Sequence, residues 1–240
     1  MRSFGTHNFW RYLLLTLFAT VNVLNVAPAA AEETPGLSYI QGLIGAASFD
    51  EEKMTFAETS TEAPGAVSTD DLSNMPYLGI AGQFALADSD THVGIDASLL
   101  FGWRSDNTSV YTGNGQARVK IDSDLWLVDL GVGLYAQTIM GDRLRLYVAA
   151  GPMMLFGEYS DDTTQEDLTV NPLVETSGSN SDSQFGFGGY AKLGLEYRLY
   201  GDAFMGVAVR GISTNLEFDQ AIEDGGLAGV QGFVTFTRAY

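Results

Sequence analysis

Few side chains in this chain are of kinds that do covalent or metal chemistry, and their spacing limits what is open to them. Cysteine is absent, so thiolate nucleophiles, thiolate metal sites and disulfide staples are excluded. Beyond the first thirty-one residues His92 is the only histidine; acid-base catalysis requires partner groups in reach of such an imidazole, and none is marked by spacing. The acidic run Asp88-Ser89-Asp90-Thr91 passes straight into His92-Val93 and lacks the fifth ligand and glycine of an EF-hand loop. Gly131-Val132-Gly133-Leu134-Tyr135-Ala136 matches a dinucleotide fingerprint in form, but a hairpin turn follows it, not the helix whose N-terminus would hold a pyrophosphate. Asn107-Thr108-Ser109 is a glycosylation sequon only on a eukaryotic secretory route. No catalysis, cofactor or metal centre is expected.

A second group is charged: Asp96, Asp129, Arg145, Lys192, Glu196, Arg198 and Arg210 each interrupt a stretch that is otherwise apolar or glycine-rich. Gln41 and Gln83 sit in similar surroundings. Unpaired and buried, each charge would cost several kcal/mol, so the expected arrangement is an internal ion network centred on Asp129, Lys192, Glu196 and Arg210.

The elements that must carry these residues read as strands. In Phe185 to Leu199 the residues Phe185, Phe187, Ala191, Leu193, Leu195, Tyr197 and Leu199 share one face, and Tyr190, Lys192, Glu196 and Arg198 the other. His92 to Arg104 and Trp126 to Thr138 alternate in the same way. Eight such segments follow one another: Leu37–Phe49, Tyr77–Leu86, His92–Arg104, Lys120–Thr138, Arg143–Glu158, Gln184–Leu199, Ala203–Phe218 and Leu227–Tyr240. Their connections alternate between long and short, and the short ones carry turn pairs such as Gly141-Asp142 and Gly201-Asp202, as antiparallel hairpins demand.

Length and charge restrict the surroundings. Arg2 and Arg11, an apolar run from Leu13 to Val26 and Ala29-Ala30-Ala31 form a secretory signal peptide over residues 1–31, leaving 32–240 as one domain. The whole chain carries 12 basic and 30 acidic residues, a net −18, which repels a phosphate backbone and argues against nucleic acid. Loss of Arg2 and Arg11 with the leader takes this to −20. Strands of about 9–11 residues suit a bilayer, where unpaired edges are intolerable and the sheet must close with its apolar face outward. The expected fold is an all-β, eight-stranded, antiparallel up-and-down transmembrane barrel in a bacterial outer membrane. Glycine, 28 residues, suits an interior with little room. Aromatic girdles are expected from Tyr77, Phe101, Trp103, Trp126, Phe156, Phe185 and Phe187 at one level and Tyr39, Tyr197, Tyr200, Phe204 and Tyr240 at the other. The loops Asp50 to Pro76 and Glu158 to Ser183 are acidic and rich in Ser, Thr and Asn, so mobile tips that attract divalent cations are expected.

With its signal peptide, eight alternating strands, runs such as Gly186-Phe187-Gly188-Gly189-Tyr190 and a last strand ending at Tyr240, the chain resembles small OmpA/OmpX-type outer-membrane barrels. The resemblance implies that Phe236 and Tyr240, with Val234, form the signal read by the barrel-assembly machinery; Arg238 departs from that pattern. It also implies periplasmic termini and four long loops outside the cell. The partners are then outer-membrane lipid and lipopolysaccharide around a monomer. Envelope structure or surface adhesion is the expected role, with a narrow porin-like channel as the alternative. A lipid A-modifying enzyme ranks below both, since His92 lies at the short-turn end, away from the outer leaflet.

Overall fold

Period-two alternation becomes strand wherever it occurs. The computed structural model describes residues 38–50, 55–59, 67–71, 74–87, 92–112, 117–141, 143–169, 174–216 and 226–240. Among these are ten strands: β1 (Tyr39–Phe49), β2 (Thr55–Thr59), β3 (Val67–Asp71), β4 (Asn74–Ala87), β5 (His92–Thr112), β6 (Ala117–Met140), β7 (Leu144–Asp167), β8 (Val174–Tyr200), β9 (Ala203–Thr214) and β10 (Ala228–Ala239). Eight of them close a barrel in the order β1-β10-β9-β8-β7-β6-β5-β4, all neighbours antiparallel, and β2 pairs with β3 in a separate hairpin. Closure leaves the barrel wall no edge, the condition for a sheet in hydrocarbon. The leader segment lies outside the described residues.

The outer face is apolar throughout the wall. Leu134 is 69% exposed and Val132 57%, with Ile44, Ile80, Leu99, Leu193 and Val209 around the same surface. Trp103 stands opposite Trp126, and Trp126, Phe156 and Phe185 follow with ring centroids 5.0 and 4.5 Å apart, a belt across β5–β8. Tyr197, Tyr200 and Tyr240 lie exposed at the short-turn end. Three residues assigned to the girdles face inward instead: Tyr77, Tyr39 and Phe204 are buried, and Tyr39 meets Phe204 edge-on at 6.0 Å. Each shares the phase of its strand's inward residues, and phase outranks the general preference of aromatic rings for an interface.

Short turns use glycine where the backbone must enter the left-handed region. Gly201 has φ of 54° in the two-residue connection between Tyr200 and Ala203, and Gly141 has φ of 56° after Met140.

The long connections differ from expectation. Ser105 to Val119 and Tyr159 to Ser183 are mostly ladder: β5 and β6 pair as far as Thr112↔Ala117, β6 and β7 to Ala117↔Asp167, and β7 and β8 to Asp167↔Val174. Polar composition shows where lipid contact ends, not where pairing ends. Once the barrel holds two strands in register, each further pair is added without a new loop-closure cost. The result is a four-stranded sheet that projects past the aromatic belt.

Inside, glycine and tyrosine are matched across strands. Tyr77 faces Gly102, Tyr135 faces Gly94, Tyr147 faces Gly194 and Tyr190 faces Gly151. A Cβ on Gly194 would lie 2.1 Å from the Tyr147 ring, which is held beneath the guanidinium of Arg145 at 4.7 Å. Gly194→Ala should therefore cost about 1–3 kcal/mol by overpacking. Gly232→Ala, with nothing within 4 Å of the new methyl, should change stability little. Urea midpoints read from the folded and unfolded gel bands would compare the two.

Candidate functional site in the lumen and the protruding sheet

The inward positions of eight strands meet in three buried ion pairs. Arg145 on β7 stands directly opposite Glu196 on β8, with Nη1 2.6 Å from Oε2. Its Nε donates to Gln137 Oε1 at 2.6 Å, its Nη2 donates to Gln83, and its guanidinium lies 3.8 Å from the Tyr39 ring centroid. Glu196 Oε1 also accepts from Gln41 Nε2 at 2.9 Å and Thr237 Oγ1 at 2.7 Å. Lys192 on β8 reaches across the lumen to Asp96 on β5 at 2.6 Å, and Asp96 accepts further from Gln83 Nε2 and Tyr190 OH, both at 2.9 Å. Arg210 on β9 crosses to Asp129 on β6 with both terminal nitrogens, donates to Gln231 Oε1 at 2.9 Å, and lies over the Tyr190 ring at 4.4 Å.

These contacts differ from a single centre. Asp129, Lys192 and Glu196 each have a different partner, and the pairs are joined through neutral groups: Gln83 between Arg145 and Asp96, Tyr190 between Asp96 and Arg210. Three acids and three bases cancel within the barrel. Arg198 stands apart: it lies half-buried at the short-turn end, with its guanidinium 5.1 Å from the Phe204 ring, and no acid pairs with it among the described residues. One inward step below Glu196, it is already at the rim, where water can solvate it.

Gln137, Gln231, Thr237, Tyr39, Tyr147 and Tyr190 belong to the network without having been assigned to it from the sequence. All share the inward phase of their strands. What sequence lacks is the register that brings β5 residues to β8 and β6 residues to β9.

The lumen is not polar along its whole length. Toward the long hairpins Phe49, Met75, Tyr77, Leu100, Leu125, Leu127, Met153, Leu155, Leu216 and Leu227 are buried together. Tyr39, Phe204 and Ala239 pack at the other end. The interior of an eight-stranded barrel is just wide enough for side chains to fill it, so inward sites are core sites, shared here between the charged groups, their neutral Gln, Thr and Tyr partners and apolar side chains. The ion network thus lies between an apolar layer toward the long hairpins and a smaller apolar cluster toward the short turns.

On the outer face of the protruding sheet, Glu166 on β7 lies 2.6 Å from Lys120 and accepts from Arg118 Nε at 2.9 Å. Its hydrogen bonds to Lys120 and then Arg118 hold its carboxyl below the usual carboxylate range. A depressed folded value means that this pairing contributes above the unfolded value near 4.3 and is lost as pH falls through the folded one. Amide exchange in the outer β6–β7 ladder should therefore accelerate in the acid range, and Glu166→Gln should abolish that pH dependence.

Among the described residues no group of three or more histidine, aspartate or glutamate side chains is placed to hold a metal ion. His92 begins β5, half-buried, opposite Gln137. Phe236 and Tyr240 are exposed on and just after the last strand.

Comparison with known families settles the context. The family model of the outer membrane protein beta-barrel domain matches residues 15–229. The chain belongs to this family. Membership in the outer membrane protein beta-barrel family accounts for the apolar outer face, which lies against lipid, and places the protein in a bacterial outer membrane. Solved structures of similar form include Ail, the attachment invasion locus protein of Yersinia pestis, at 14% identity and a TM-score of 0.37, covering 86% of this chain and 99% of that one. Neisserial surface protein A is 9% identical with a TM-score of 0.44, covering 87% and 100%. The N-terminal β-barrel domain of Pseudomonas aeruginosa OprF is 14% identical with a TM-score of 0.31, covering 85% and 99%. No match was found among curated proteins.

Proposed function

We propose that this outer membrane β-barrel is a sealed scaffold that displays an acidic sheet at the cell surface for adhesion or other surface interaction, without catalysis and without a conducting pore. The observation that carries the reading is the contrast between its two parts. The lumen holds mutually neutralised charges and a layer of buried apolar side chains, whereas four strands continue beyond the aromatic belt.

In this reading the long hairpins are extracellular and both mature termini periplasmic, with lipopolysaccharide around the outer half of the wall. The barrel acts as a monomer, and Phe236 and Tyr240 present the signal for the assembly machinery. The acidic loops gather divalent cations as a diffuse atmosphere, which can bridge them to the phosphates of lipopolysaccharide.

Planar bilayers and cells test the proposal together. The purified barrel should give no stepwise conductance at neutral pH. Deleting residues 106–121 and 161–181 should abolish surface binding while leaving solute permeability unchanged. Steady conductance, or surface binding that survives the deletions, would overturn it.

A further inference from the structure

The lipid-facing wall is not evenly convex. A groove of about 920 Å³ crosses it from β4 to β9, and apart from Tyr135 and Lys192, whose side chains point inward, its lining is wholly apolar. Register gives the groove its course. Val93, Ala136, Val148, Leu193 and Val209 stand opposite one another in one row across β5–β9, and Ala150, Ala191 and Gly211 leave the next row low. Val93 directly follows His92 at the start of β5, whereas Val209 lies midway along β9, so the row begins at the short-turn rim and ends near mid-wall.

Dimensions select the occupant. Four strand spacings make the row about 19 Å long, and the two rows lie about 7 Å apart along the strands. That width is too narrow for a helix, which is about 10 Å across, and the convex wall of a second barrel cannot enter it. A single hydrocarbon chain fits. Entering at the rim and lying obliquely, it would cross one leaflet of the hydrocarbon core, about 15 Å deep.

The rim beside the groove is cationic. Four residues beyond Ala136, β6 ends at Met140, and the turn that follows brings Arg143 to this rim. Arg143 is exposed, its Nη1 donates to the OH of lipid-facing Tyr197 at 2.9 Å, and its carbonyl accepts from the Arg198 amide at 2.8 Å. Two arginines are thereby set opposite each other on a sheet, where like charges repel. An anion at the rim relieves that repulsion.

We propose that the wall binds one anionic phospholipid at a fixed site, with an acyl chain in the groove across β5–β9 and its phosphate at Arg143. The site rests on the orientation given above, which puts the phospholipid leaflet at the short-turn end.

The test places the full barrel in nanodiscs of phosphatidylcholine with a minor fraction of phosphatidylglycerol spin-labelled on its acyl chain, and reads the alanine methyls by NMR. Ala136, Ala150 and Ala191 should relax faster than Ala46, which is exposed on β1. Moving the label to phosphatidylcholine should weaken the contrast. Arg143→Gln should lower the affinity for phosphatidylglycerol about fivefold, the share of one basic residue at an anionic lipid surface. Arg238→Gln, at an exposed position on β10, should leave it unchanged. Ala150→Leu with Ala191→Leu fills the groove from exposed positions and, in protein that still migrates as a folded band, should remove the contrast at Ala136. Equal relaxation at Ala46 and in the groove, equal response to the two headgroups, or equal loss from the two arginine variants would each overturn the site. So would displacement of the labelled lipid by inorganic phosphate at constant ionic strength, the mark of an anion site without a chain. Nanodiscs present the same lipid on both sides, so the outcome does not turn on the orientation, and the conductance and deletion results bear on the scaffold reading alone.

Discussion

Arg210→Met should destabilise the barrel by about 3–5 kcal/mol, the usual cost of leaving one member of a buried ion pair alone. Arg210 is 1% exposed, and its two terminal nitrogens are the groups that neutralise Asp129 across the lumen. The substitution keeps much of the side-chain volume but strands a carboxylate against Tyr77, Gln231 and the apolar layer, and removes the donor to Gln231. Replacing both members, Arg210→Met with Asp129→Leu, should restore most of the loss, because no charge is then left buried. Urea midpoints of the two single variants and the double variant give the coupling directly. Additive losses would show that the cross-lumen pair is not the unit of stability described above.

The second large effect concerns the outer wall. Val132 lies on β6 between Trp126 of the aromatic belt and Met140 at the turn, and is 57% exposed to the surroundings of the barrel. Val132→Arg places a guanidinium near mid-bilayer, where such a charge costs about 2–4 kcal/mol, whereas Tyr200→Arg at the rim should cost about 0–1 kcal/mol. Folding yield and urea stability in lipid vesicles should separate these variants in that order. Equal tolerance of both would contradict a lipid-facing wall.

Much of this architecture is legible in the alternation itself. The phase that sets Leu193 and Leu195 against Lys192 and Glu196 already assigns faces, and eight repeats with turn pairs between them imply closure. Less legible is anything that depends on register. Gln137 looks like an ordinary polar residue until its strand is set beside β7, where it accepts from Arg145. Tyr39 and Phe204 carry interfacial chemistry by type and core positions by phase, and only the second survives in the barrel. The outer halves of β5 to β8 escape a hydropathy reading for a different reason: neither face meets lipid there, so serine and aspartate can be tolerated in a ladder whose pairing is inherited from the wall below.

The self-cancelling lumen has a consequence for how this protein can vary. Since three interior acids are matched by three interior bases, none of the net −18 is lodged between them. The frame therefore does not sense the ionisation of its ornaments. The charge of the outer hairpins can be altered without leaving an interior ion unpaired.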